Sequence, residues 1–199
     1  MAKRTAKAGN KTQPGRLRIV AGKWRSRRLD IADVPGLRPT SERIRETLFN
    51  WLTPHIAGAR CLDLFAGTGA LGLEALSRGA VETVFVEKSP IAAKTLQNNA
   101  AALDASAATV HVSDARQFLR NQKAGEFDIV FLDPPFAADM VSDLCRLLDE
   151  ASILAGGAQV YVEEDRGKPE AKFPDGWRVV KSENAGNVRY SLVETESRS

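Results

Sequence analysis

The sequence predicts an α/β protein with a Rossmann-like, mostly parallel sheet of seven strands, helices on both faces and an N-terminal β-hairpin extension. Strand-sized apolar runs alternate with helix-sized segments between residues 60 and 163, which is typical of a parallel sheet. The run Phe127–Leu132 is almost continuously apolar, as expected for a strand covered on both faces. No helix-sized segment separates the last two predicted strands, so the sheet should end in an antiparallel pair.

The composition is that of a soluble globular protein. At 199 residues the chain can form one α/β domain with a full core, and 43% of its residues are hydrophobic and 27% charged. Cys61 and Cys145 fall in a predicted strand and helix, so we expect buried thiols and neither a disulfide framework nor a metal site. No apolar run approaches a membrane span or a signal peptide. We therefore expect a cytoplasmic protein without membrane contact, and a monomer, since no self-pairing element is evident.

Basic residues are concentrated at the start of the chain. Residues 1–60 contain 14 Lys and Arg against 4 Asp and Glu, whereas residues 61–199 contain 14 against 21. Asp30 is the first acidic residue and follows ten basic ones. A basic segment on a mildly acidic body predicts a polyanionic partner for that end of the molecule. A solubilising disordered tail is the alternative.

We predict three regions: a basic disordered tail (1–16), a hairpin with a helix (17–55), and a Rossmann-like domain (56–199). Residues 17–20 and 27–31 alternate apolar and polar side chains around a segment with a glycine, which predicts the hairpin. Arginines mixed with an aromatic ring suit phosphate binding with base stacking. The candidate nucleic-acid contacts are Arg18, Lys23, Trp24, Arg25, Arg27, Arg28 and, on the following helix, Arg43. The alternative is a solvated hairpin packed on the main domain.

A loop with two prolines precedes the first predicted helix, which Thr40 or Ser41 can cap. Its apolar stripe consists of Ile44, Leu48, Trp51 and Leu52, and Arg45 lies off this stripe. The later predicted strands span 60–65, 82–87, 108–112, 127–132, 158–163 and, approximately, 177–183 and 187–194. The later predicted helices span 70–79, 90–103, 115–122 and 138–149.

A glycine-rich loop follows the first strand of the Rossmann-like domain. Gly67, Gly69 and Gly72 match G-x-G-x-x-G, which allows a ligand to approach the backbone at a helix N-terminus. Glu87 ends the next strand and can accept both hydroxyl groups of an adenosine ribose. Together they predict an adenosine cofactor and fit a dinucleotide equally well. A structural turn with an exposed glutamate is the alternative.

Asp114 follows the third strand of this domain and falls on the same edge of the sheet. It can bond an adenine amino group, with the backbone N–H of Ala115 directed at the ring. A helix cap is the alternative role for an aspartate in this position.

The segment Asp133-Pro134-Pro135-Phe136 ends the apolar strand. Two prolines can continue neither a ladder nor a helix, so a rigid loop leaves the sheet where ligands bind. A carboxylate, a fixed carbonyl and an aromatic ring suit the exocyclic amine of a flat base. Asp133 and the carbonyl of Pro134 can bind its two hydrogens and expose its lone pair to a methyl group, while Phe136 stacks on the base. This chemistry favours methyl transfer without a metal or a covalent enzyme intermediate.

Residues 63–69, Glu87, Asp114 and 133–136 resemble the class I S-adenosylmethionine-dependent methyltransferases that methylate amines. The blocks 18–22, 36–40, 43–52 and 67–78 are similar to the family of bacterial 16S ribosomal RNA guanine-N2 methyltransferases, which modify guanine 966. The similarity covers roughly residues 17–194, and its most specific part is the Arg-Pro-Thr loop with the following helix. Residues 1–15 fall outside it, and 165–175 match least.

The resemblance implies S-adenosylmethionine as the cofactor and 16S rRNA, presented by a partly assembled 30S subunit, as the partner. It implies catalytic roles for Asp133, Pro134 and Phe136. The loop at Arg38 and Thr40 should close over the methionine end of the cofactor. The implied cofactor-binding residues are Arg38, Thr40, Asp63, Phe65, Gly67, Gly69, Glu87, Lys88, Asp114 and Ala115.

Three other functions remain open from the residues alone. An N6-adenine DNA or RNA methyltransferase uses the same Asp-Pro-Pro-aromatic segment, although 199 residues leave no room for a target-recognition domain. A nicotinamide-dependent oxidoreductase would explain only the glycine loop and Glu87. A non-catalytic RNA-binding assembly factor would explain only the basic first third.

Overall fold

The computed structural model describes residues 15–37, 39–122, 127–135 and 140–196. Within these residues, a two-stranded hairpin and a seven-stranded sheet are combined with five helices. The strands are β1 (Arg16–Arg18), β2 (Arg28–Asp30), β3 (Arg60–Asp63), β4 (Glu82–Glu87), β5 (Ala108–Val112), β6 (Phe127–Leu132), β7 (Leu154–Asp165), β8 (Arg178–Ala185) and β9 (Val188–Glu194). The helices are α1 (Glu42–Trp51), α2 (Ala70–Ser77), α3 (Pro90–Ala102), α4 (Ala115–Asn121) and α5 (Val141–Glu150).

The seven strands lie in the order β5-β4-β3-β6-β7-β9-β8. The β3, β4, β5, β6 and β7 strands pair in parallel, whereas β9 runs antiparallel to both of its neighbours. Two apolar clusters cover the two faces, one containing residues of the hairpin, α1, α2 and α3 and the other residues of α4 and α5. The predicted Rossmann-like sheet with an antiparallel end is therefore confirmed.

The predicted N-terminal hairpin is also confirmed, with Leu17 opposite Leu29. Its connecting loop packs tightly on the C-terminal part of α2. Gly22 has φ of 82°, and a Cβ atom there would lie 1.8 Å from the carbonyl oxygen of Ser77. The backbone N–H of Lys23 donates to that same oxygen at 2.8 Å. Only glycine fits at residue 22, because the loop and the helix are in direct backbone contact.

The first helix begins at a serine cap: Ser41 Oγ accepts a hydrogen bond from Ile44 N at 3.3 Å. Thr40, the other candidate cap, is free for a different contact described below. The apolar stripe packs as predicted, with Leu48 and Leu52 fully buried. Arg45 was predicted to lie off this stripe, yet it is also fully buried, because acceptors inside the protein satisfy its guanidinium.

Most elements end within two residues of the predicted bounds, and the largest differences are at β7 and α5. The β7 strand begins at Leu154 rather than at residue 158, and its pairing with β6 shifts register between Phe127 and Ile129. Glycines 156 and 157 lie at this irregularity, where a sequence pattern suggests a loop. The α5 helix ends at Glu150, and the N-terminal part of its predicted range lies outside the described residues.

Cys61 and Cys145 are both buried free thiols, and burial raises the pKa of each well above its ordinary value. Across the part of the chain that the structure describes, no helix is long and apolar enough to cross a membrane. The same residues contain no group of three or more metal-ligating side chains that could hold a metal ion.

Candidate active site

The carboxyl ends of the parallel strands bring several predicted site residues to one edge of the sheet. Asp63 ends β3, Glu87 ends β4, Asp114 follows β5, and Asp133 follows β6. Since β3, β4, β5 and β6 are adjacent and parallel, these four acidic side chains follow neighbouring strand ends. The predicted glycine loop, which connects β3 to α2, lies at the same edge.

Glu87 fixes the glycine loop. Its carboxylate accepts hydrogen bonds from Gly67 N at 2.8 Å and from Ser89 N at 2.7 Å. Gly67 has φ of 53°, and a Cβ atom there would come within 3.0 Å of Leu37 Cδ1. A side chain at residue 67 would therefore crowd Leu37 in the segment before α1, so a glycine is favoured where the loop and this segment approach each other.

Asp63 is only 2% exposed and accepts a hydrogen bond from Gly72 N at 3.1 Å. Burial raises the pKa of this carboxyl to about 7, opposed by the hydrogen bond from Gly72 and assisted by the negative charge of Glu87. A cation bound beside Asp63 would favour its ionised form. The site thus suits a ligand with an ammonium group.

Asp114 caps α4, because its carboxylate accepts hydrogen bonds from Arg116 N at 3.0 Å and Gln117 N at 3.4 Å. Lys88 Nζ lies 3.3 Å from the same side chain. Partial burial opposes ionisation, but the hydrogen bonds from Lys88 and from the helix backbone prevail and lower the pKa of Asp114. The capping role is thus present, and the adenine role stays a prediction. Ala115, predicted beside it, is buried.

Asp133 contacts Thr40, a residue that the resemblance assigned to the cofactor. Thr40 Oγ1 donates to Asp133 Oδ2 at 3.1 Å, and Thr40 is 7% exposed. Burial and the nearby Glu163 raise the pKa of Asp133 well above its ordinary value, while the hydrogen bond from Thr40 opposes this rise. Thr40 therefore orients the predicted catalytic carboxyl.

Sequence reasoning missed Glu163, which lies beside Asp133 at the end of the neighbouring strand. Glu163 is 4% exposed and accepts a hydrogen bond from the Tyr161 hydroxyl at 2.7 Å. Three acids, Glu163, Glu164 and Asp165, follow the apolar run 160–162 at the carboxyl end of β7. That change from apolar to acidic residues was the available signal, since buried acids at strand ends in an α/β sheet are candidate site residues.

Sequence reasoning also missed a buried ion-pair network that holds Thr40 in place. Glu74, fully buried on α2, lies 3.2 Å from Arg45 Nη1 and 2.8 Å from Arg78 Nε. Arg45 Nε also donates to the carbonyl of Thr40 at 3.3 Å, and Arg45 Nη2 donates to that of Arg18 at 2.9 Å. The network therefore joins α1, α2 and the hairpin behind the Asp133 contact.

The basic side chains predicted to contact nucleic acid are exposed: Arg18, Lys23, Arg25, Arg27, Arg28 and Arg43. Two of them also bind within the protein. Arg18 is paired with Glu42, and Arg27 Nη2 donates to the carbonyl of Ala102 at 2.6 Å. Five of the six predicted hairpin positions thus carry an exposed basic group, and Arg27 also ties the hairpin to α3.

The expectation for Trp24 needs correction. Its ring is 9% exposed and packs in the apolar cluster that contains hairpin and helix residues. Lys23 Nζ lies 4.2 Å from the ring centroid, and Trp24 N donates to Ser77 Oγ at 3.0 Å. Trp24 anchors the hairpin because burying its large apolar ring is favourable, so its ring is not presented to a nucleic-acid base.

Three predicted features lie outside the described residues: Arg38, Phe136 and most of the tail 1–16. The remaining cofactor candidate, Phe65, is half-buried at the start of the glycine loop. The predicted roles of these residues stay predictions.

Two cavities differ in their chemical content. The larger, about 280 Å³, lies at the opposite edge of the sheet and is lined by His55, Asp128, Gln159 and small residues. The Asp128 carboxylate there accepts a hydrogen bond from Arg60 N at 2.8 Å, which gives it a structural role. The smaller cavity, about 20 Å³, opens beside Pro134, Pro135 and Glu163. These residues lie at the edge of the sheet that carries Asp63, Glu87, Asp133 and the glycine loop, which we call the reactive edge.

Comparison with known proteins identifies the family. A family model described as conserved hypothetical protein 95 matches residues 17–194. Ribosomal RNA small subunit methyltransferase D of Escherichia coli (strain K12) is 44% identical over 191 residues, which cover 96% of this chain and 96% of that protein. The Haemophilus influenzae protein of the same name is 42% identical over 183 residues, which cover 90% of this chain and 94% of that one.

A solved structure agrees with the sequence comparison. The Escherichia coli protein yhhF matches this fold with a TM-score of 0.86 and 41% identity, covering 92% of this chain and 100% of that chain. The family model spans most of the chain, and the two relatives match nearly its full length. This chain therefore belongs to the family described as conserved hypothetical protein 95.

Proposed function

We propose that this protein transfers a methyl group from S-adenosylmethionine to the exocyclic N2 amine of a guanine, guanine 966, in 16S ribosomal RNA. The observation that carries the proposal is the position of Asp133. Its partly buried carboxyl lies at the strand edge that also bears the glycine loop, and a rigid Pro134-Pro135 segment follows it. The names of the two relatives, ribosomal RNA small subunit methyltransferase D, support both the reaction and the RNA.

The cofactor-binding residues fit the group that the proposal requires. Asp63 supplies a buried carboxylate for an ammonium group, and Gly67, where a Cβ atom would crowd Leu37, leaves the backbone of the loop uncovered by a side chain. Glu87 offers a carboxylate for ribose hydroxyls beside that loop. S-adenosylmethionine, when bound, supplies an electrophilic methyl group on a sulfonium.

The residues of the chain orient the amine and accept its proton. Asp133 accepts one hydrogen of the amine and the carbonyl of Pro134 accepts the other. Held in this way, the nitrogen becomes pyramidal, and its lone pair is no longer delocalised into the ring and can attack the methyl group. Phe136 stacks on the base. The amine becomes acidic only after it gains the methyl group, so Asp133 takes the proton late and need not be a strong base.

The reaction and its site are tested together by methyl transfer to RNA. We expect the purified protein to transfer labelled methyl groups to 30S particles from cells that lack the gene, and not to particles from wild-type cells. Mapping the modified nucleotide should identify N2 of one guanine. Label on adenine N6 would favour the adenine-methyltransferase alternative, and binding without transfer would favour an assembly factor.

The exposed hairpin arginines should contribute to RNA binding through phosphate contacts. Replacing Arg25 and Arg28 with glutamine should reduce the slope of log affinity against log salt by about 1 to 2, because each lost phosphate contact removes nearly one released counterion. Filter binding to 30S particles at several salt concentrations measures this slope. The matched control replaces Arg120 and Arg146, which lie on α4 and α5 at the other face of the sheet. An equal loss in the control would contradict a role for the hairpin.

Cofactor affinity should depend on pH through Asp63. Its pKa of about 7 in the free protein lies above the ordinary value of 3.8, so below pH 7 a proton must leave before the ammonium group can pair with it. We expect the dissociation constant to be lowest above pH 7 and to rise, by up to about tenfold per pH unit, as the pH falls below it. Titration calorimetry measures this dependence.

The Asp63→Asn variant provides the control for this dependence. It should bind the cofactor weakly, with a dissociation constant that varies little with pH. The same linkage predicts that the free wild-type protein loses stability as the pH rises from about 4 to about 7, since the folded state binds the proton more tightly than the unfolded chain. A pH-independent dissociation constant in the wild type would remove Asp63 from the cofactor site.

A further inference from the structure

Asp133 and Glu163 occupy matching positions on adjacent parallel strands. The β6 and β7 strands pair Phe131 with Tyr161 and Leu132 with Val162, so Asp133 and Glu163 come next in the same register. Residues opposite one another in a parallel pair project to the same face, and the strands are about 4.8 Å apart. Two carboxyl groups therefore lie side by side at the reactive edge.

One hydroxyl group holds each carboxyl. Thr40 Oγ1 donates to Asp133 Oδ2 at 3.1 Å, and the Tyr161 hydroxyl donates to Glu163 Oε1 at 2.7 Å. Glu163 is 4% exposed, and Thr40, the donor to Asp133, is 7% exposed. Two ionised carboxylates side by side at such a site repel one another, so the pair is more stable when it carries one proton.

We propose that Glu163 is a positioning residue for Asp133, and that the two neighbouring carboxyl groups share one proton. The shared proton is a property of the free protein. Only its consequence for the reaction rests on the proposed methyl transfer.

The surroundings of the pair favour retention of that proton. Burial raises the pKa of both carboxyls, and the charge of Glu163 adds to the rise at Asp133. The hydrogen bond from Thr40 to Asp133 and that from Tyr161 to Glu163 oppose the rise without cancelling it. Two neighbouring ionised carboxylates in a buried site are unfavourable, so the last proton is lost at unusually high pH. Two other titratable groups lie next to the pair: Asp63 of β3 acts on Asp133, and Tyr161 of β7 bonds to Glu163. Tyr190 of β9 acts on Tyr161, and the charged groups beyond it, Glu183 of β8 and Arg43 of α1, act on Tyr190.

The shared proton has a defined place in the reaction. When the amine donates a hydrogen to Asp133, Asp133 must be the ionised member, so the proton resides on Glu163. During transfer the new N–C bond forms as the C–S bond breaks, and the electron pair of the C–S bond stays on sulfur. The methylated nitrogen then loses its proton: the N–H bond breaks and an O–H bond forms on Asp133. Glu163 keeps negative charge on Asp133 alone while the amine is bound.

Carboxyl-carbon NMR of free protein labelled with ¹³C-glutamate tests the shared proton directly. The Glu163 signal is assigned by its absence in Glu163→Gln. We expect it to titrate well above the ordinary range of a glutamate, and Asp133→Asn should move its midpoint down by about one to two pH units, because a like charge is removed. Asp128→Asn, at the other end of β6, should leave the midpoint unchanged. An ordinary midpoint, or one that Asp133→Asn does not move, overturns the proposal.

Enzyme kinetics test whether Glu163 contributes to the rate of methyl transfer. Glu163→Gln keeps an acceptor for Tyr161 and is uncharged like the protonated acid, so we expect kcat to fall about threefold, whereas Glu163→Ala should lower it more than tenfold with KM for 30S particles unchanged. Glu183→Gln, which alters the Tyr190–Glu183 pair on the same sheet, is the matched control and should match the wild type. Equal losses in the Gln and Ala variants overturn the role in catalysis. If the wild type transfers no methyl group while the NMR result holds, the proposed function fails and the shared proton stands.

Discussion

Replacing Asp133 with alanine is expected to lower the rate of methyl transfer about a hundredfold, which corresponds to about 3 kcal/mol of transition-state stabilisation. The side chain is held by Thr40 and lies where the rigid Pro134-Pro135 segment begins, so its loss removes an oriented acceptor for the amine hydrogen. Single-turnover transfer to unmethylated 30S particles, with saturating cofactor, measures the effect. Asp133→Asn keeps a carbonyl acceptor and should retain more of the rate than Asp133→Ala.

Asp128 provides the matched control for this prediction. It lies near the start of the same strand and accepts a hydrogen bond from Arg60 N, far from the reactive edge. Asp128→Asn should transfer methyl groups at the wild-type rate. If Asp133→Ala folds, binds 30S particles and works at the wild-type rate, Asp133 has no part in the reaction.

Replacing Arg45 with methionine is expected to reduce the free energy of unfolding by about 3 kcal/mol or more. Glu74 is fully buried, and removing one of its cationic partners leaves a buried charge that Arg78 alone compensates. The change also removes the donors to the carbonyls of Thr40 and Arg18. Urea unfolding followed by circular dichroism measures the loss as a lower midpoint at constant slope.

Two variants distinguish the effect of an incompletely paired buried charge from a general loss of packing. Arg45→Met combined with Glu74→Gln should recover part of the lost stability, because the buried carboxylate charge is removed while the side chain still offers an acceptor to Val20 N and Ala21 N. Arg146→Gln, which breaks an exposed pair with Glu150 on α5, should leave the midpoint almost unchanged. If Arg45→Met is no more destabilising than Arg146→Gln, the buried network contributes little to the fold.

The periodicity of the sequence was sufficient to predict the order and type of the elements. Continuous apolar runs such as Phe127–Leu132 predicted buried parallel strands, and the segments after them supplied Asp63, Glu87, Asp114 and Asp133 at one edge. These features depend on local composition and on the geometry shared by all parallel sheets, so a single sequence suffices to predict them.

The features that the sequence did not predict depend on contacts between distant segments. Arg45 and Glu74 are separated by 29 positions, and nothing in their neighbours shows that they meet in the core. Trp24 is surrounded by basic residues, which favoured a solvent-facing ring, yet it packs against the main domain. Thr40 and Asp133 lie 93 positions apart. Pairing of buried polar groups is settled by tertiary packing, which a local pattern does not contain.

The close docking of the hairpin loop on α2 has a consequence for association kinetics. Five hydrogen bonds join residues 20–24 to Glu74 and Ser77. The basic surface is therefore assembled before any polyanion arrives, and encounter requires little further loss of conformational entropy. The association rate of a polyanion with this surface should be governed by diffusion and electrostatic attraction, without a slow phase in which the hairpin becomes ordered.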